Sequence, residues 1–205
     1  GVQYADKAIA LDPNSAMAYL NRAWLSFYQG DWDGMFRSAD EAFRLQPQNS
    51  YVLGELSNMF FWGGTCTMNQ MQDTDLKLDD YLSGDCRWNR GYELGLKSQE
   101  LDKGNNHTLR HYGLATAYVL RKDYDAAYKH MQMALSPGFI WYEIHSGLAA
   151  DGMGNEDAAR KHFESVKKGL STNRLTDIYK HYEFWHVDDF YWEPSEPVLK
   201  KYGFI

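Results

Sequence analysis

Apolar positions between residues 16 and 49 recur with the period of a helix, and the pattern breaks once. Tyr19, Arg22, Ala23 and Ser26 fall on one face of the first segment, Met35, Ala39 and Ala42 on one face of the second, with Gln29-Gly30-Asp31 between them. This spacing predicts two short helices folded back on each other. Small side chains at Ala23, Ala39 and Ala42 let the helix axes approach closely, and Leu45-Gln46-Pro47 closes the pair before a similar one opens.

The same rhythm organises the rest of the chain. Residues 1–15 read as a half-unit: Ala5 and Ala8 belong to a second helix that ends at Pro13, and Asn14 or Ser15 caps the next. With no first helix before it, this half-unit suggests a piece of a longer protein. Residues 16–49 form a complete unit. In the unit 50–107, Leu53, Leu56 and Phe60 mark a first helix ending at Gly63-Gly64. An insertion at 65–90 follows, and Gly91, Gly95 and Ser98 then resume the small-residue spacing. The unit 108–138 carries Leu114, Ala115 and Tyr118, a turn at Arg121-Lys122-Asp123-Tyr124, then Ala127, Met131 and Ala134. The unit 139–173 has Gly147 and Ala150, a turn at Gly154-Asn155, then Ala159, Phe163 and Val166. Residues 174–205 change character and are expected to cap the array, with one short helix at 175–182 and another near 198–202, broken by Pro194 and Pro197.

A unit of about 34 residues built this way resembles a tetratricopeptide (TPR) repeat. Arg22 and Ser26 depart from it, standing where the family usually has Leu and Tyr. The resemblance implies an all-α superhelix, a solenoid of helical hairpins with an insertion and a C-terminal cap. The run PGFIWYEIHSGLAADGMGNEDAARKHFESV, followed by FW and VLKKYGFI, is similar to the end of TPR regions in bacterial class III adenylate or guanylate cyclase-like proteins and in winged-helix transcriptional regulators. Leu199-Lys200-Lys201-Tyr202-Gly203 matches their tail loosely. This implies a non-catalytic sensory or regulatory module whose parent protein carries the output function.

Charge narrows the partner. The chain has 28 acidic against 21 basic residues and a formal net charge of −7, with no basic cluster, which argues against a nucleic acid. No apolar run is long enough to span a bilayer, so no membrane contact is expected of this chain. The compartment, cytoplasm or periplasm, stays open. Aromatic residues make up 16% of the sequence, so many flat rings must be placed between helices or in a groove.

In stacked TPR units the first helices line the concave surface. The residues expected there are Trp24, Phe27, Tyr28, Tyr51, Asn58, Trp62, Tyr112 and Trp141, with Leu20, Phe61, Ile144 and Leu148 on the same faces. Together they would make an aromatic groove for an extended peptide or an amphipathic helix. Such rings at helical spacing serve equally as core, and the chain's own Phe184-Trp185 or Phe190-Tyr191-Trp192 is a third possible occupant of the groove. Asn58 suits clamping of a peptide backbone. A basic clamp for an acidic tail is disfavoured, because only Arg22 and Arg110 qualify. Self-association through the aromatic faces is the alternative function.

No other chemistry stands out. Cys66 and Cys86 lie in the insertion and would pair as a disulfide in an oxidising compartment or remain thiols in a reducing one. They form no CxxC, and His107 and His111 lack a third ligand, so no metal or cofactor is expected. The acidic run Asp73, Asp75, Asp79, Asp80 lacks the central Gly and terminal Glu of an EF-hand loop. No nucleophile–base pair or phosphate-binding glycine loop appears, leaving a small-molecule or enzymatic site the least supported reading.

Overall fold

Helix ends are set by repeated local chemistry. The computed structural model describes residues 1–62, 87–102, 108–134, 136–172, 177–185 and 189–205. Helix α1 (Val2–Leu11) stops before Pro13, and Ser15 Oγ accepts from the Ala18 N–H at 3.3 Å to open α2 (Ala16–Tyr28). At the end of α2, Gly30 takes a positive φ of 69°, and the Asp31 N–H returns to the Ser26 carbonyl. Asp31 Oδ1 then accepts from the Gly34 N–H at 2.9 Å and starts α3 (Trp32–Leu45). The turn between α6 (Thr108–Leu120) and α7 (Tyr124–Ala134) repeats this at Lys122-Asp123, and that between α8 (Ile140–Gly152) and α9 (Glu156–Thr172) repeats it at Gly154-Asn155. In each, a left-handed residue reverses the chain and the following Asp or Asn caps the next helix. Three hairpins thus share one turn: the left-handed residue bonds three residues back and the capping residue five residues back in each.

The remaining hairpin pairs α4 (Ser50–Trp62) with α5 (Arg87–Leu101). Helix α5 begins at Arg87, inside the stretch assigned to the insertion from sequence. Its small residues do what their spacing implied: a methyl at Gly91 would stand 2.9 Å from the Ser57 carbonyl oxygen, and one at Gly95 would stand 3.0 Å from Leu114. Ser57 Oγ donates to the Gly91 carbonyl and Ser98 Oγ to the Ser50 carbonyl, both at 2.6 Å. The two helices are therefore fastened at both ends of their contact.

Hairpins α2–α3, α4–α5, α6–α7 and α8–α9 stack in order, with α1 packed on α2. The first helices α2, α4, α6 and α8 succeed one another along one side, an all-α solenoid. Its core runs through Phe27, Met35, Leu56, Phe60, Ile144 and Phe163, all essentially inaccessible. The departures at Arg22 and Ser26 are accommodated as a polar seam. Arg22 Nη1 donates to Ser38 Oγ at 3.1 Å and to Ser26 Oγ and the Gly34 carbonyl at 3.4 Å, while Nε pairs with Asp6 at 2.7 Å.

The C-terminal region forms α10 (Ile178–Phe184) and α11 (Asp189–Lys201). The expected break at Pro194 and Pro197 does not occur, since α11 runs through both. Removing two backbone donors from a helix is costly, but Tyr191, Ser195 and Leu199 recur at a spacing of one helical turn and are all buried. Packing of that face outweighs the local penalty. The cap is fixed to the last hairpin by Tyr202, stacked on Phe163 with centroids 4.7 Å apart, and by Lys201, paired with Asp151 at 2.8 Å and Glu156 at 2.7 Å.

Candidate functional site

The inner sides of the four first helices meet at a cleft of about 250 Å³. Trp24 and Tyr28 come from α2, Glu55 and Asn58 from α4, Tyr112 from α6, Trp141 from α8, Phe139 from the residue capping α8, and Trp185 from just after α10. Five of the residues expected at the groove, Trp24, Tyr28, Asn58, Tyr112 and Trp141, are thus brought together from well-separated parts of the chain.

Ring geometry fixes the walls. Trp24 and Tyr28 are one helical turn apart and nearly parallel, 24° between planes with centroids 5.9 Å apart. Trp185 stands at 62° to Tyr28, centroids 5.8 Å apart, so these walls meet at a steep angle. Across the cleft, Tyr112 and Phe139 are inclined by 47° at 5.5 Å. Trp141 is held from behind by His145, stacked at 5.6 Å, and by Tyr182 at 4.9 Å. His145 in turn hydrogen-bonds through Nδ1 to the hydroxyl of Tyr191 in the cap. Beneath Phe139, Glu143 accepts from the Gly138 N–H at 2.7 Å and holds His162 at 2.6 Å, fixing the start of α8.

Electrostatically the cleft is defined by Glu55. Its side chain is buried, and Oε2 accepts from the Trp24 indole N–H at 2.7 Å. The Tyr51 phenol also hydrogen-bonds it. Burial pushes the carboxyl pKa above the ordinary carboxylate value, against the opposing effect of these two donors. Burial likewise raises the Tyr28 phenol, reinforced by Glu55, and pushes the Tyr112 phenol up to about 12. Both tyrosines therefore stay neutral and act as ring surface.

Other expectations place differently. Phe27 is turned into the core, fully buried between Trp24, Trp32 and Trp185, because its position on α2 faces α3. Leu20, Phe61, Ile144 and Leu148 are core as well. Tyr51 is nearly half exposed and does not line the cleft, though its phenol hydrogen-bonds Glu55, which does. Trp62 ends α4 with its side chain outside the described residues, as are Cys66, Cys86, the acidic run and His107 in their entirety. Arg22 is committed to the hairpin seam, and Arg110 is buried with Nη1 donating to the Ser98 carbonyl at 3.0 Å, so neither lines the cleft.

Three lining residues were not expected, or only as alternatives. Glu55 is the one acid within the apolar run of α4, one turn from Tyr51 and three residues before Asn58, and that isolation was its signal. Phe139 follows the Pro137-Gly138 turn and precedes the helical pattern, so periodicity could not assign it. Trp185 belongs to the tail segment considered as an internal occupant of the groove, and it does border the cleft. Among the described residues no group of three or more His, Cys, Asp or Glu side chains is arranged to hold a metal ion, and no helix is long and apolar enough to cross a membrane.

Comparison with known proteins agrees with the architecture. Residues 4–35 match a tetratricopeptide repeat family model. No curated protein matches the sequence. Among solved structures, the fold is similar to that of PilW, described as a widely conserved type IV pilus biogenesis factor, at 14% identity and a TM-score of 0.58, covering 98% of this chain and 84% of that one. It is also similar to a crystal structure of MamA, at 18% identity and a TM-score of 0.52, covering 83% of this chain and 86% of that one. At such identities the likeness is one of fold: a TPR-like helical-repeat solenoid.

Proposed function

We propose that this chain is a non-catalytic protein- or peptide-binding module, serving as a sensory or regulatory domain of a larger bacterial signalling protein, and that the aromatic cleft receives a segment of its partner. One observation carries the reading: Trp24, Tyr28, Asn58, Tyr112 and Trp141, from four successive first helices, converge on a single recess. Aromatic side chains in a concave, largely apolar site bury a large contact area at low entropic cost, while Asn58 and Glu55 supply the polar groups that fix orientation. The regulatory role, and attachment to a cyclase or winged-helix output domain, rest on the resemblance of the last third of the sequence. An output domain would read the state of a solenoid whose cap touches both the cleft and the last hairpin.

The test is selection of peptides from a displayed random library on the immobilised chain, followed by competition against a Trp24→Ala, Asn58→Ala double variant. Enriched segments should bind the native chain and lose at least about tenfold in affinity on the variant, which corresponds to about 1.4 kcal/mol. Enriched segments that bind both proteins equally would place recognition away from the cleft.

A further inference from the structure

A second recess, of about 260 Å³, lies where α1, α2 and α3 meet. Ile9 of α1 and Tyr19 of α2, both half-buried, supply its apolar walls, and Arg22 of α2 and Arg37 of α3 its cations. At about 100° per residue, Tyr19 and Arg22 stand roughly 120–180° around α2 from Trp24 and Tyr28, so this recess is separate from the aromatic cleft.

Its charges do not balance. Asp6 Oδ1 accepts from Arg22 Nε at 2.7 Å, and Glu41 Oε2 holds Arg44 through Nε and Nη2, each at 2.8 Å. Each carboxylate thus has a guanidinium of its own, and Arg37 is left over. It is exposed and forms no hydrogen bond or ion pair among the described residues, although Asp33 and Glu41 lie one helical turn to either side. Arg22 adds a donor: its Nη1 is spent on Ser26, Gly34 and Ser38, whereas Nη2 bonds nothing among the described residues. A half-buried guanidinium edge with an unmatched cation beside it complements a carboxylate, which accepts from several such donors at once.

The apolar walls narrow the source of that carboxylate. A glutamate carries its acid on a methylene stem that can lie along Ile9 and Tyr19. A small free anion would give up its own freedom of motion for a few contacts, whereas a side chain presented by an already bound segment incurs little of that cost. We propose that this groove receives a glutamate side chain from a segment of a partner protein, its carboxylate against Arg37 and Arg22 Nη2 and its stem against Ile9 and Tyr19. Arg37 stands on a second helix, so the site does not depend on the inner surface of the array.

The experiment titrates the whole chain with two capped pentapeptides, Leu-Ala-Glu-Ala-Leu and the same sequence with Gln at the centre, and follows the backbone amide resonances of α1, α2 and α3. About 0.1 M salt screens repulsion by the chain's net charge of −7 beyond about 10 Å. The Glu peptide should bind at least about fivefold more tightly than the Gln peptide, at the upper end for a solvent-accessible ion pair. Arg37→Gln, at an exposed position that burdens folding little, should bring the preference below about twofold. Ile9→Ala should weaken both peptides alike, because their stems are the same. Equal binding of the two peptides overturns the proposal, as does an unchanged preference in Arg37→Gln or no binding at millimolar peptide. Free acetate that moves the same resonances at the same concentration would transfer the groove to a small anion and overturn the assignment to a partner segment. None of these results bears on the aromatic cleft.

Discussion

Trp185 and Tyr28 lie edge to face, with ring centroids 5.8 Å apart, and the C-terminal region thereby closes over the first complete hairpin. A plain solenoid joins neighbours only to neighbours. Here a residue after the last hairpin also reaches α2, adding a contact between distant parts of the array. Phe27, beneath both rings, is buried in part by that contact.

Replacing Trp185 with alanine should therefore destabilise the chain by about 1–2 kcal/mol, less than a fully buried tryptophan because the side chain is only partly enclosed. Urea unfolding measures the loss. Amide exchange should quicken in α2 before it does in α9, whereas a purely local effect confined to α10 would leave α2 unchanged.

Lys122 holds a φ of 60° at the turn position where the sister hairpins have Gly30 and Gly154. A side chain in the left-handed region costs about 1 kcal/mol, which glycine avoids. Lys122→Gly should accordingly raise stability, offset in part by the entropy glycine gains on unfolding. Gly154→Lys should lower it by about 1 kcal/mol. Thermal melts of the two variants should move in opposite directions.

A methyl at Gly147 would stand 2.8 Å from Cζ of Phe163 and 2.9 Å from its Cε2. Both sit in the interior, where Phe163 is also stacked against Tyr202. Gly147→Ala should cost about 1–3 kcal/mol by overpacking despite alanine's better helix propensity. A Gly147→Ala, Phe163→Leu double variant should recover part of the loss, measurable as coupling in a double-mutant cycle.

Burial holds two histidines neutral: His145 is pushed down to about 3 and His130 to about 4, from an ordinary 6.5. His130 shares its Nδ1 contact with His111 at 3.0 Å, and His145 bonds Tyr191. As pH falls below 6.5 the unfolded chain takes up protons that the folded chain refuses. Stability is therefore full above that value and is lost through the window down to about 4, with a slope of about 1.4 kcal/mol per pH unit for each histidine. Denaturant midpoints at a series of pH values should show this slope, and a His130→Gln variant should flatten it.

Helix positions and turns were readable because they depend on local chemistry. The small-residue spacing of Gly91, Gly95 and Gly147 pointed to close helix contacts, and the pairs Gly30-Asp31 and Gly154-Asn155 announced turns that the structure builds from the same bonds. The site was only half legible. Periodicity identifies the side of a helix, yet two inner-side positions such as Phe27 and Tyr28 differ by 100° around the axis, enough to bury one and leave the other at the rim. Trp185 could be considered but not placed, since its position depends on how the cap returns across the array. The prolines of α11 misled for a similar reason: the buried stripe of Tyr191, Ser195 and Leu199 has meaning only once α11 is packed against α8.

The central claim is that the cleft walled by Trp24, Trp141 and Trp185 is the working surface. Indole N–H resonances of the chain, assigned by single replacement and followed while a selected peptide is added, test it most directly. The claim predicts that these three signals shift together and saturate at one affinity. Unmoved signals from all three, alongside a shift of the Trp32 indole on α3, would contradict it.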